Sequence, residues 1–209
     1  MTFKLNGVEN LFPVPLWQYT VEGHEALNPR LVEEVQARRA SDKDISNRNR
    51  RGWQSRHDFF DRTEPAHAEL AATVREVLFH ALKSVASEIK PEKLIFSQNG
   101  WVNVNPTHGY VGPHVHPNSL ISGTYYVKVP QEEDAGGAIE FIAPHPVGHW
   151  GGFIKSPVLT DKCRIQPTAG LILLFPGQLM HWVLPNNSDE DRITISFNLT
   201  VRLRPGTRL

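Results

Sequence analysis

Only one cysteine, Cys163, occurs in the 209 residues. No disulfide can therefore close within the chain, and a reducing cytoplasm is the expected setting. Long apolar runs are missing as well. The longest, Leu171 to Phe175, is far short of the ~20 residues that cross a bilayer. The first twenty residues carry no basic-then-apolar leader pattern, so a soluble intracellular protein is expected. There is no excess of either charge: Lys+Arg and Asp+Glu both total 22, giving a formal net charge of zero. That balance argues against a large nucleic-acid footprint or a general attraction to anionic membranes, and neither is expected as a partner. The one tight basic cluster, Arg48, Arg50 and Arg51, reads as solvated surface. Repeats and low-complexity tracts are also missing.

What is present is turn chemistry, with 16 Pro and 15 Gly, which favours a β-rich body. The length suits one domain with a substantial core. Its texture changes near residue 95, dividing an N-terminal strand and helical support (1–95) from a β core (96–204). In the first part Asn28-Pro29 reads as an N-cap with a first-turn proline, followed by the short stripe Leu31, Val32, Val35. A stronger helix starts near Thr63-Glu64-Pro65. Its apolar positions Leu70, Val74, Val77, Leu78, Ala81, Leu82 and Val85 recur at three and four, and Lys90-Pro91 should end it. Between the helices no period is evident, and Trp53, Phe59 and Phe60 read as packing anchors.

Beyond residue 95 the period becomes two. Trp101 to Asn105, Ser122 to Val129, Ala138 to Ile142 and Arg192 to Val201 read as strands, and Leu171 to Phe175 as a buried one ended by Pro176-Gly177. This spacing indicates a sandwich or barrel. In the last strand Arg192, Thr194, Ser196 and Asn198 share one face, while Ile193, Ile195, Phe197 and Leu199 share the other. If the apolar face meets the N-terminal helices, the polar face is left to line a barrel interior.

Of ten histidines, His24, His57, His67 and His80 read as surface or capping residues, and His108 as a structural loop residue. His145 and His149 lie in a Pro- and Gly-rich stretch, and residues 145–153 read as a lid over the barrel mouth. His114-Val115-His116 is different. Two residues apart on a strand, the imidazoles point to one side and can share a cation. His181 follows the Pro176-Gly177 turn, at the mouth of a sheet. Three neutral nitrogens from two strands leave coordination positions open, as catalysis needs.

The order of these features from Trp101 to Asn198 resembles the 2-oxoglutarate- and Fe(II)-dependent oxygenase superfamily, and most of all a family from bacteria and phages. The matching segments are His114-Val115-His116, Ser122 to Tyr126, Gly137 to Phe141, Gly170 through His181, and Arg192 to Asn198. Trp53-Gln54-Ser55 and the long helix extend the likeness. The resemblance implies a double-stranded β-helix of jelly-roll type, with helices packed on the outer face of one sheet. It also implies a dioxygenase that uses Fe(II), 2-oxoglutarate and O2 to oxidise a small-molecule or peptide substrate of unknown identity. Carried over residue by residue, His114 and His181 match the metal histidines. Arg192, eleven residues beyond His181, matches the residue that pairs with the far carboxylate of 2-oxoglutarate. A planar guanidinium suits that task through two parallel hydrogen bonds. Thr194, Tyr126 and Asn103 are further candidates around this co-substrate.

One departure stands out. The superfamily normally places a carboxylate two residues after the first histidine, and here that residue is His116. His116 either ligates as a third imidazole or stands beside the metal with water in its place. Two rival readings remain. A cupin-type metal dioxygenase or isomerase also uses His-x-His and a later His, but the usual Glu is missing from Pro117-Asn118-Ser119-Leu120-Ile121. A non-catalytic β-sandwich binding module would turn apolar, not ionisable, residues inward.

Overall fold

The computed structural model describes residues 4–7, 11–46, 48–88, 90–132, 135–145 and 160–207. Among them, two antiparallel sheets face each other. The larger runs in the order β1 (Trp17–Thr20), β9 (Leu171–Pro176), β6 (Ile121–Lys128), β11 (Arg192–Leu203), β4 (Leu94–Asn105), β3 (Trp53–Gln54). The smaller runs β2 (Asn49–Arg50), β5 (Tyr110–His114), β10 (His181–Val183), β7 (Ile139–Ile142), β8 (Lys162–Ile165). This is the double-stranded β-helix that the sequence led us to expect. Two helices, α1 (His24–Ser41) and α2 (Pro65–Val85), cover the outer face of the larger sheet. Among the described residues no helix is long and apolar enough to cross a membrane.

The longest pairing joins β11 to β4, from Arg192↔Asn105 to Leu203↔Leu94. Alternation along β11 then sorts its side chains. Ile193, Ile195, Phe197 and Leu199 enter one core with Leu31, Val35, Leu70, Val74 and Leu78 of the helices. Fully burying each such side chain contributes about 1.5–3 kcal/mol. Arg192, Thr194, Ser196 and Asn198 are left facing the space between the sheets. Phe197 fits because both of its cross-strand partners are glycines, Gly100 and Gly123. A Cβ at Gly123 would lie 2.6 Å from the Phe197 ring and 2.8 Å from the Leu173 carbonyl. A second core between the sheets gathers Tyr126, Leu173 and Phe175 against Ile139 and Phe141.

The helices depart from expectation at their ends. α1 begins at His24, not at Asn28-Pro29, because Gly23, with φ 75°, turns the chain and accepts the backbone N–H groups of Ala26 and Leu27. Asn28 caps nothing. It is buried and accepts a 2.6 Å hydrogen bond from the Tyr125 hydroxyl. α2 starts at Pro65 as expected but stops at Val85, which is 58 % exposed, well before Lys90-Pro91. Ser84 turns its hydroxyl back onto the Ala81 carbonyl at 2.7 Å, which competes with the helical ladder there.

His67 is not on the surface. It is 1 % exposed, and its Nδ1 lies 2.6 Å from Glu34 Oε2. The Glu34 carboxylate also accepts the backbone N–H groups of Ala66 and His67 at 2.9 and 3.0 Å. A side chain of α1 thus caps the first turn of α2. Burial works to raise the Glu34 carboxyl, but the hydrogen bonds from His67 and these two amides outweigh it and hold it below the usual range. Trp53 and Phe59 are buried and Phe60 packs against them, as anchors should.

Candidate metal centre and co-substrate pocket

β5 ends at His114 and β10 opens at His181, and the two residues are direct cross-strand partners. His116 lies just past the end of β5, so alternation alone does not place it. Its backbone N–H donates to the Gly177 carbonyl at 2.7 Å, which ties the metal loop to the Pro176-Gly177 turn. Only glycine fits there, since a Cβ would stand 2.3 Å from the Ser119 carbonyl. One ligand atom from each of His114, His116 and His181 lies within 4.8 Å of the others. Metal–imidazole bonds are about 2 Å long, so the three rings would draw together on a shared ion.

The hydrogen bonds around these rings suit metal binding. His114 Nδ1 donates to the Gly112 carbonyl and His181 Nδ1 to the Leu179 carbonyl, each at 2.8 Å. Both rings are thereby fixed as Nδ1–H tautomers, leaving Nε2 as the free lone pair. The ring of His116 forms no hydrogen bond among the described residues. It stacks on His181 with centroids 5.3 Å apart and lies 5.9 Å from Trp101. Burial, with the neighbouring imidazoles and Arg48, pushes His116 down to about 4 and His181 to about 3. Burial also lowers His114. All three imidazoles are neutral donors at neutral pH.

These residues open onto a cavity of about 430 Å³ between the sheets. At its far end Arg192 is 2 % exposed, and among the described residues no carboxylate reaches it. Its Nη1 donates to Asn105 Oδ1 at 3.4 Å, while its Nε has no partner. The guanidinium sits 5.2 Å from the centre of the Tyr126 ring, whose buried hydroxyl is also unpartnered. Burial drives the Tyr126 hydroxyl up to about 12 against the pull of Arg192, so it is a neutral donor. Burial likewise pulls Arg192 below its ordinary value. An unpaired buried cation beside an unused hydroxyl is costly, and an anionic ligand offsets that cost. Thr194 lines the same cavity. Asn103 does too, but its amide donates to Ser196 Oγ at 3.1 Å, two rows along β11 from Arg192.

The structure adds residues that the sequence reading passed over. Asn105 donates to Asn49 Oδ1 at 2.6 Å, and Asn49 in turn donates to the Trp53 carbonyl at 3.0 Å. Arg192 is thus braced through two asparagines to the turn between β2 and β3. Asn105 shares its strand face with Asn103, so alternation was a usable signal; Asn49 offered none. His57, expected to be an unremarkable surface residue, stacks on Trp101 with centroids 4.3 Å apart at the cavity wall. Arg48 is exposed with Arg50 and Arg51, yet it lines the cavity mouth. His108 is structural, with φ 63° and its N–H on the Asn186 carbonyl. His145 is exposed, 6.3 Å from the Phe12 ring. His149 and the rest of the expected lid fall outside the described residues.

Comparison with known proteins agrees with this geometry. Residues 99–198 match the family described as "Putative 2OG-Fe(II) oxygenase". Solved structures of similar fold include a Pseudomonas putida prolyl-4-hydroxylase, at 12% identity and TM-score 0.65, covering 88% of this chain and 91% of that one. Another is the collagen prolyl hydroxylase of Paramecium bursaria Chlorella virus-1 in complex with 2-oxoglutarate, at 18% and 0.56, covering 87% and 94%. HygX from Streptomyces hygroscopicus, with nickel and 2-oxoglutarate bound, aligns at 12% and 0.58, covering 90% and 83%. No curated protein sequence matches the chain. The matched segment, just under half of the chain, carries His114, His116, His181 and Arg192, and the likeness to these solved structures is one of fold.

Proposed function

We propose that the protein couples oxidative decarboxylation of 2-oxoglutarate to oxidation of a second substrate, with His114, His116 and His181 holding Fe(II). The observation that carries this reading is Arg192, a buried guanidinium without a carboxylate partner, placed with Tyr126 in the same cavity as the three imidazoles. Fe(II) with 2-oxoglutarate and O2 supplies the oxidising power: a substrate C–H becomes C–OH while 2-oxoglutarate becomes succinate and CO2.

The chain's own residues position and exclude. Arg192 receives the far carboxylate of 2-oxoglutarate through paired N–H donors, and the Tyr126 hydroxyl adds a third. Thr194 contributes a hydroxyl on the same strand face, with Asn103 directly across from it on β4. Asn105 and Asn49 keep the guanidinium from swinging. The Gly112 and Leu179 carbonyls hold His114 and His181 in the ligating tautomer. Phe141 and Phe175 pack on His181 and keep water from that side.

The three-imidazole set is the one feature that favours a cupin-type dioxygenase instead, and turnover of 2-oxoglutarate separates the two. Purified protein with Fe(II), ascorbate and 2-oxoglutarate in air is expected to release succinate slowly without added substrate, and to stop when the metal is chelated. Oxygen consumption with 2-oxoglutarate left intact would move the assignment to the cupin reading.

A further inference from the structure

The charges around the cavity do not balance. No Asp or Glu lines it among the described residues. Its histidines are neutral, so a bound divalent ion brings two positive charges and Arg192 a third. The two carboxylates of 2-oxoglutarate offset only two of these. Arg48 at the mouth raises the remainder to two positive charges. A carboxylate at position 116 would have removed one, but this chain has His116 there.

Arg48 is not a stray surface charge. Its carbonyl accepts the Gly112 N–H at 3.1 Å, fixing it beside β5. Its Nη1 reaches to 3.5 Å from the carbonyl of Val115, the residue between the two metal-loop histidines. No ion pair forms to it among the described residues. Asp44, the acid nearest in sequence among them, is turned toward Ser46 and the Gln54 N–H instead. The positive charge of Arg48 reaches all three imidazoles. Beside it in the same cavity wall, His57 and Trp101 stack with an interplanar angle of 20° and offer a flat aromatic shelf, the Trp101 ring 5.9 Å from His116.

Resting on the 2-oxoglutarate reading, we propose that the substrate is an anion whose carboxylate or phosphate is received by Arg48, its body lying on the Trp101 and His57 rings beside the metal. A low-dielectric cleft with a net positive charge concentrates anions and raises their rate of encounter. Arg48 is then the specificity-determining residue for the second substrate, as Arg192 is for the first. The two guanidinia divide the work: the buried one takes the co-substrate and the exposed one the substrate.

The test uses full-length protein loaded with Zn(II), which supports binding without turnover, and saturated with 2-oxoglutarate. Calorimetric titrations with benzoate, phenyl phosphate and neutral benzamide compare charge on one flat ring. At least one anion is expected to bind roughly tenfold tighter than benzamide, and the preferred one tells a carboxylate from a phosphate substrate. Arg48→Gln is expected to reduce the anion's affinity by about tenfold and Arg48→Lys to restore most of it, with 2-oxoglutarate affinity unchanged in both. Equal binding of benzamide and both anions overturns the proposal. So does anion affinity that survives Arg48→Gln, or anion binding that vanishes on saturation with 2-oxoglutarate and so belongs to Arg192. Failure of 2-oxoglutarate itself to bind the Zn(II) protein is a separate result, and it overturns the parent reading together with this one.

Discussion

His116 carries the largest chemical consequence of any single residue. Three neutral ligands would leave a divalent ion with its full charge, where a carboxylate would reduce it. Ligation by His116 predicts that His116→Ala weakens Fe(II) binding by at least about tenfold in an anaerobic competition with a chelator. Binding unchanged by that substitution would instead place His116 beside the ion. At this scale the sequence was most legible where chemistry is periodic. Alternation put Arg192, Thr194 and Asn103 on inward faces of β11 and β4, while the family resemblance singled out Arg192 among them. His116 was named for the wrong reason, since it stands past the end of β5 and a hydrogen bond to Gly177 positions it. Asn49 and Arg48 were not legible, because the contacts that give them meaning come from β5 and β4, distant in sequence.

At the scale of the element, the junction of α1 and α2 shows what local patterns omit. No cap could be read at Glu64, and none is made by its side chain. Glu34, 32 residues upstream of Ala66, supplies it. Losing that carboxylate should cost about 1–2 kcal/mol at neutral pH, as loss of a capping acceptor does. The pH dependence has a definite sign. Glu34 is held below its ordinary 4.5 in the folded state, so its stabilisation is fully present above that value and is lost as pH falls through the lowered one. Urea unfolding of Glu34→Gln should therefore show a deficit against wild type at about pH 7 that shrinks as pH falls below the ordinary carboxyl range. A deficit that stays constant across that range would mean that Glu34 acts through packing instead of charge. The apolar stripe of α2 was correctly read as far as Leu82; Val85 continued the pattern in sequence while the helix was already ending.

Across the whole molecule, the two faces of the larger sheet divide structure from chemistry. Its outer face is apolar and buried by helices, and its inner face carries a row of polar groups closed over by the smaller sheet. That division follows from the inverted polarity of the last strand, which is why the barrel and its metal loop could be anticipated while two-residue strands such as β2 and β3 could not. The same division isolates Arg192 from water and makes its unpaired state costly, which is the ground for proposing that the cavity receives a dicarboxylate. The most direct measurement is anaerobic titration of the apo-protein with Fe(II) and then 2-oxoglutarate, followed in the visible spectrum. The account predicts a metal-to-ligand charge-transfer band that appears only with both present and is lost in Arg192→Ala, while Fe(II) still binds. Iron binding with no band in the wild-type protein, or a band undiminished in Arg192→Ala, would contradict it.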